Sequence, residues 1–258
     1  MSRWLPILMY HRVVPKLAQP DPTGNCISAD AFESQLRWLA NRGYTCLPLS
    51  AIAGVPDLDE HLDSLPTRAF AITFDDGYTD TYDCAWPILR RYGFTATVFL
   101  VSDWIGGFNE FDRSLGLDPV PLLTEAQVRE MHAAGIDFGS HTCSHPDDLT
   151  LLTEPALSHE LVDSKRALES LLDAPCYDFC YPHGKQNASV EAAVEKAGYL
   201  LACGAVGTRL TRFCLNRVEA TRWTGRRLVL GLMERDVKWR LRNRVFEPRL
   251  QRSPASAS

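Results

Sequence analysis

Short runs rich in aliphatic, β-branched and aromatic residues recur along the chain at positions 7–10, 69–74, 95–101, 136–140, 178–181 and 200–203. They do not alternate strictly with polar residues, a pattern that predicts strands buried on both faces, as in a parallel sheet. Between them apolar positions recur at helical spacing. Ala31, Leu36, Leu39 and Ala40 precede Gly43, and Val128, Met131 and Ala134 precede Gly135. Leu157, Leu161, Ala167, Leu168 and Leu171 form another set, and Val190, Ala193, Val194 and Ala197 precede Gly198. Glycine just past the last periodic residue is a helix stop, because it enters the left-handed region without a Cβ clash. Strand, helix and strand therefore alternate over about 200 residues, which predicts an α/β fold with a parallel sheet, either a closed or distorted barrel or an open doubly wound sheet. Residues 57–66 and 106–121 read as inserted loops and 253–258 as a frayed tail. The domain expected to carry the chemistry spans residues 1–225, and 226–258 form a basic C-terminal helix and tail.

Composition narrows the class. With 258 residues, 45% hydrophobic and 23% charged, the chain can bury a sizeable core in a single domain, which excludes disordered and low-complexity readings. Its apolar runs stop far short of the roughly 20 residues of a membrane span, and residues 1–8 lack the apolar core of a secretory signal, so a cytoplasmic location is expected. Eight cysteines without a CxxC pair read as reduced, buried thiols. The net charge of −5 hides an asymmetry: residues 209–252 hold 13 Lys or Arg against 4 acids, and the remainder 14 against 28. That basic segment is either a solvated helix face or a patch meeting anionic lipid headgroups or an acidic partner, placing the protein peripherally at the inner face of the membrane. Nucleic acid is not expected as a partner, because the acidic remainder would oppose it.

Candidate chemistry sits just after the strands, where parallel α/β folds build their sites. The run Ala71-Ile72-Thr73-Phe74 ends in Asp75-Asp76-Gly77, two adjacent carboxylates at a buried strand end. Successive strand residues point to opposite faces, so both acids reach one site only if the pleat breaks, which Gly77 permits. A turn with solvated acids reads the same three residues equally well. His141 and His145 lie within the His-x3-His spacing of zinc sites, and with a carboxylate from another strand end they make a set that leaves positions open for water and substrate. The turn Tyr181-Pro182-His183-Gly184 can aim a backbone N–H at a developing oxyanion, and His11 ends the first strand. Trp104, Asn109 and Asp112 follow the strand near Val101 and suit sugar stacking and hydrogen bonding, or packing of their loop. His61, His132 and His159 read as surface residues.

Taken together, Thr73-Phe74-Asp75-Asp76-Gly77, His141-Thr142-Cys143-Ser144-His145 and Tyr181-Pro182-His183-Gly184 resemble the polysaccharide deacetylases, the NodB-homology domains of carbohydrate esterase family 4. The opening Ile7-Leu8-Met9-Tyr10-His11-Arg12-Val13 resembles the poly-N-acetylglucosamine deacetylase subgroup. The resemblance implies a distorted (β/α) barrel of about seven parallel strands and a metal-dependent N-deacetylase acting on a sugar of a surface glycan or its lipid-linked precursor. By the same resemblance, Asp76, His141 and His145 bind one divalent ion, Zn²⁺ first and Co²⁺, Ni²⁺, Mn²⁺ or Fe²⁺ as alternatives. Asp75 is the general base, and Tyr181, Pro182, His183 and Trp104 meet the substrate. Bound zinc lowers the pKa of its water to about 7 and polarises the amide carbonyl. The chain departs from the family at two motif positions: Cys180 stands where many members carry an arginine that holds the catalytic Asp, and His183 where they carry tyrosine. No histidine follows His183, although most members supply a late one, so His11 is the candidate acid. Two other functions compete: hydrolysis of a small non-sugar amide or cyclic imide with the same metal site, and carbohydrate binding without catalysis.

Overall fold

The computed structural model describes residues 5–17, 24–53, 58–115, 118–204, 211–221, 225–228 and 231–232. The described residues hold ten strands: β1 (Ile7–Tyr10), β2 (Arg12–Val14), β3 (Cys26–Ser28), β4 (Thr45–Cys46), β5 (Ala69–Phe74), β6 (Thr97–Leu100), β7 (Asp137–Ser140), β8 (Asp178–Cys180), β9 (Leu201–Cys203) and β10 (Val218–Glu219). The helices are α1 (Ala29–Ala40), α2 (Leu58–Ser64), α3 (Trp86–Tyr92), α4 (Glu125–Ala133), α5 (Glu154–Ser158), α6 (Ser164–Leu172) and α7 (Ala188–Lys196). Seven strands pair in parallel in the order β10-β1-β5-β6-β7-β8-β9, and β4 joins the start of β5. This curled sheet with helices outside is a distorted (β/α) barrel, one of the two architectures that the alternation allows. β2 and β3 form a separate ribbon.

Side chains divide by strand phase. Leu8, Tyr10, Phe70, Ile72, Phe74, Val98, Leu100, Phe138 and Phe179 pack outward with the apolar faces of the helices. Ile7, Ala69, Ala71, Phe99, Cys180, Leu201 and Cys203 form a second cluster inside the barrel. All six residues of β5 are buried, and its three large side chains contribute about 1.5–3 kcal/mol each. The interior is narrow: a Cβ on Gly139 would stand 2.7 Å from the Phe99 ring and 2.8 Å from the Asp178 carbonyl oxygen.

Helix α1 starts at Ser28, whose Oγ accepts from the Ala31 N–H, and buries Phe32, Leu36 and Leu39 on one stripe. The segment expected as a loop at 57–66 instead holds α2, and the 106–121 segment carries a 3-10 turn over Glu110–Leu115. Leu228 and Leu232 of the C-terminal segment are buried in the main core, and Gly225 packs against the Ser34 carbonyl of α1. Arg235, Trp239, Arg240, Arg242, Arg244 and Arg249, the rest of the basic tail, lie outside the described residues, as does 253–258. All eight cysteines are free thiols. Among the described residues no helix is long and apolar enough to cross a membrane.

Candidate active site

The strand pleat alone delivers half of the site. Residues 69, 71 and 73 of β5 face the barrel interior, so Asp75 follows in phase; His11 follows Ile7 and Met9 in the same way, and His141 follows Asp137 and Gly139. Strand hydrogen bonding runs on past the strand ends, with Asp75 N–H donating to Tyr10 O (3.0 Å) and His141 N–H to Leu100 O (2.8 Å). Asp76 is out of phase and reaches the site because its own backbone turns over, at φ +70°, followed by Gly77 at φ +76°. The pleat break expected at the glycine therefore begins one residue earlier. Thr142 (φ +73°), His145 (φ +61°) and His183 (φ +54°) are also left-handed, so of the five non-glycine positive-φ residues described three (Asp76, His145 and His183) line one pocket and Thr142 lies in the loop between His141 and His145. Such strained conformations persist where the surrounding packing holds them, and they concentrate at functional sites. The pocket encloses about 270 Å³ and is lined by Met9, His11, Asp75, Asp76, Asp112, His141, His145, Tyr181, His183 and Arg217, among others.

Asp75 is paired with a residue the motifs did not reveal. Arg217, just before β10, donates from Nη1 to Asp75 Oδ1 (2.6 Å) and from Nη2 to Oδ2 (2.7 Å). The same guanidinium reaches Thr73 Oγ1 (3.2 Å) and Cys180 Sγ (3.1 Å), and Nε donates to Gly204 O (2.9 Å). Burial opposes ionisation of Asp75, yet this fork holds its carboxyl well below the ordinary carboxylate range. Arg217 thus takes the place left open by Cys180. It belongs to the basic segment read as a solvated face or docking patch, and the structure corrects that reading at this position, because its side chain is only 2% exposed. His11 Nε2 lies 3.8 Å from Asp75 Oδ2, with its pKa lowered by burial against the opposing pull of Asp75.

Asp76 has the opposite surroundings. Its Oδ1 lies 3.5 Å from His141 Nε2 and 3.6 Å from His145 Nε2, all three side chains are buried, and the three ligand atoms fall within 4.8 Å of one another. No lysine or arginine pairs with it among the described residues. Burial, then the nearby charges of Asp75 and Asp112, raise its pKa well above the ordinary value. His141 is pushed down to about 4 and His145 well below its usual value, both chiefly by burial, so both imidazoles are neutral and carry a lone pair. The Cys180 carbonyl, 2.8 Å from His141 Nδ1, can only accept, which places the proton on Nδ1 and turns the Nε2 lone pair towards Asp76. Converging acceptors around a buried carboxylate that lacks a counter-charge suit a divalent cation. Tetrahedral zinc with bonds of about 2.0–2.2 Å separates its ligands by about 3.3–3.6 Å, close to the spacings found here. A second convergence, Asp75 with His141 and Cys180, does not suit a cation, because Arg217 already occupies Asp75 and burial raises the Cys180 thiol.

The loop carrying the two histidines is braced from behind. Glu160, in a π-helical turn over His159–Asp163, accepts from the Cys143 N–H (2.8 Å), the Ser144 N–H (3.0 Å) and the Ser144 hydroxyl (2.6 Å). Ser140 Oγ accepts from Thr142 N–H (3.1 Å) and Thr142 Oγ1 from His145 N–H (3.0 Å). In the third motif, Tyr181 N–H donates to Cys203, Gly184 N–H to Tyr181 and Lys185 N–H to Pro182, which leaves the His183 N–H with no protein acceptor among the described residues. Tyr181 lines the pocket with its hydroxyl fixed on Phe213 O (2.9 Å), and the His183 ring lies 4.9 Å from that of His145. Pro182 is buried behind this turn rather than on the pocket wall. Trp104 likewise does not line the pocket: it lies in the turn Ser102–Trp104, where its carbonyl oxygen would be 3.2 Å from a Cβ on Gly107 and its indole N–H has no partner among the described residues. Packing of the loop is the role its position supports.

A polysaccharide deacetylase family model matches residues 63–202. The Bacillus subtilis (strain 168) protein YxkH is 32% identical over 225 residues, covering 84% of this chain and 71% of that one. A poly-beta-1,6-N-acetyl-D-glucosamine N-deacetylase of Staphylococcus aureus (strain MSSA476) is 25% identical over 182 residues, 67% of this chain, and the match spans 58% of the length of that relative. Among solved structures, the Streptococcus pyogenes deacetylase PplD, in complex with acetate, superposes with a TM-score of 0.72 at 25% identity, covering 89% of this chain and 98% of that one. IcaB from Ammonifex degensii gives 0.71 at 21% identity, with coverage of 89% and 97%, a likeness of fold.

Proposed function

The chain belongs to the polysaccharide deacetylase family, and we propose that it hydrolyses the N-acetyl group of a glucosamine-type sugar in a poly-N-acetylglucosamine-like glycan, with zinc as its ion. The observation that carries this reading is the division of labour at 75 and 76: one carboxylate is neutralised by arginine and the other converges with two neutral imidazoles. Asp76, His141 and His145 would hold the ion, which when bound supplies Lewis acidity to the amide carbonyl and acidity to a water. Asp75, kept ionised and oriented by Arg217, takes a proton from the attacking water. His11, 3.8 Å from Asp75, is placed to deliver a proton to the departing amine. The His183 N–H is the donor for the oxyanion, and a preorganised donor of this kind is worth about 10²–10³ in rate. Products are acetate and the free amino sugar.

The test is release of acetate and primary amine from β-1,6-linked N-acetylglucosamine oligomers by zinc-loaded protein, with a panel of small amides and cyclic imides alongside. Release in stoichiometric pairs from the oligomers, lost in Asp75→Asn, is expected. Turnover of the small amides alone would replace the sugar reading, and saccharide binding without turnover of anything would leave a lectin-like protein.

A further inference from the structure

The pocket holds a third carboxylate that the reaction does not use. Asp112, on the 3-10 turn after β6, lines the same wall as Asp75 and Asp76. It is held rigidly through one oxygen: Oδ2 accepts from the hydroxyl of Tyr78 (2.9 Å) and from Asn109 Nδ2 (3.2 Å). Both supports are buried, at 3% and 4% exposure, and Asn109 is itself fixed by the Val120 N–H on its Oδ1 (2.6 Å). Tyr78 stands two residues beyond Asp76, so Asp112 is locked to the strand end that carries the chemistry. Among the described residues no side chain or backbone donor meets Oδ1.

Charge identifies what the wall lacks. Both donors to Asp112 are neutral, so they orient its charge without cancelling it. Among the described residues Arg217 is the only arginine or lysine that lines the pocket, and it is spent on Asp75. A carboxylate in the pocket wall with one oxygen fixed and the other open suits a cationic hydrogen-bond donor from the ligand, and an ammonium forms a stronger bond to it than a sugar hydroxyl does.

We propose that Asp112 is a receptor for the ammonium group of a 2-amino sugar, so that the pocket favours glycans already carrying free amines over fully acetylated ones. This rests on the deacetylase reading. The ammonium has two sources, the sugar just released and a previously deacetylated neighbour in the same chain, and the chemistry of recognition is common to both. The placement of Asp112 on a loop, rather than on the strand that carries the base, separates this role from the hydrolytic step.

The experiment measures calorimetric binding of two oligosaccharides of equal length, one fully N-acetylated and one with a single free amine, to zinc-loaded wild-type protein and to Asp112→Asn. Glucosamine monomer is included as a competitor. Wild type should bind the amine-bearing oligomer about tenfold more tightly, the size of one charge-assisted hydrogen bond, and Asp112→Asn should bring the ratio to about one. Asp112→Glu should restore part of the preference, which a loop merely loosened by mutation would not do. Competition by glucosamine that disappears in Asp112→Asn assigns the product amine, and loss of preference confined to oligomers assigns the neighbouring residue. A wild-type ratio of one, or a preference that survives in Asp112→Asn, overturns the proposal. Because the readout is a binding ratio, it stands apart from the deacetylase reading, which fails instead if acetylated oligomers are bound and never hydrolysed.

Discussion

Asp75 and Asp76 are adjacent, chemically identical and equally buried, and the fold drives them in opposite directions. Asp75 continues the β5 pleat into the barrel and meets a guanidinium in a two-pronged fork. Asp76 leaves the pleat through a left-handed backbone and meets two neutral imidazoles. The first is held ionised without any added group, whereas the second carries an uncompensated charge that only a cation or a proton can relieve. A base and a metal ligand can therefore be built from one dipeptide, provided that the counter-charge reaches only one of them.

The most severe way to break this division is to remove an imidazole. His141→Ala should bring amine release to background, and zinc should be absent by elemental analysis of the dialysed protein, because two remaining ligands do not make a catalytic zinc site. Next is the arginine. Arg217→Ala leaves Asp75 buried and unpaired, which should cost about 3–5 kcal/mol of stability in denaturant unfolding and at least about 10²-fold in turnover. Adding Cys180→Arg in the same chain should recover part of both losses, since the Cys180 sulfur lies 3.8 Å from Asp75 Oδ1 and an arginine there reaches the same carboxylate from β8. A double variant no better than the single one would show that the direction of approach, from β10, matters as well as the charge.

Sharpening the Asp76 half calls for a gentler change behind the ligands. Glu160→Ala frees the 143–144 backbone without touching a ligand and should weaken zinc affinity by about 10–100-fold in chelator competition, the usual size for an outer-shell support. The smallest effect lies at the far end of the barrel, where Asp178 offers a control for an acid with neither arginine nor imidazoles. Burial, with Asp137 nearby, pushes its pKa up to about 8, and its Oδ1 has no partner among the described residues. A raised carboxyl pKa contributes stability that is complete below the unfolded value of about 4 and is lost as pH rises through the folded value. Stability should therefore decline from about pH 4 to about pH 8, and Asp178→Asn should flatten that slope in thermal unfolding followed across the range, with its advantage largest above pH 8.

Local pattern was informative wherever one residue's neighbours settle its fate. β5 is legible to the residue, because five apolar residues and a β-branched threonine followed by two acids and a glycine read as a buried strand ending in a turn. The His141 loop and the first-strand His11 were legible for the same reason. Arg217 was not: it is one of 13 cations in residues 209–252, and nothing local distinguishes the one that folds back across the barrel to Asp75. β2, β3 and β10 run three residues or fewer and exist through pairing with distant strands, beyond the reach of periodicity. Pro182 and Trp104 were read as substrate contacts from residue type and loop position, whereas neither lines the pocket.

The division between the two carboxylates is tested most directly by zinc titration calorimetry on Asp75→Asn and Asp76→Asn side by side, each with amine release measured on the same sample. Asp75→Asn should bind one equivalent of zinc close to wild-type affinity and release no amine, while Asp76→Asn should bind no zinc at micromolar concentrations. Loss of zinc in Asp75→Asn, or its retention in Asp76→Asn, would contradict the assignment of base and ligand made here.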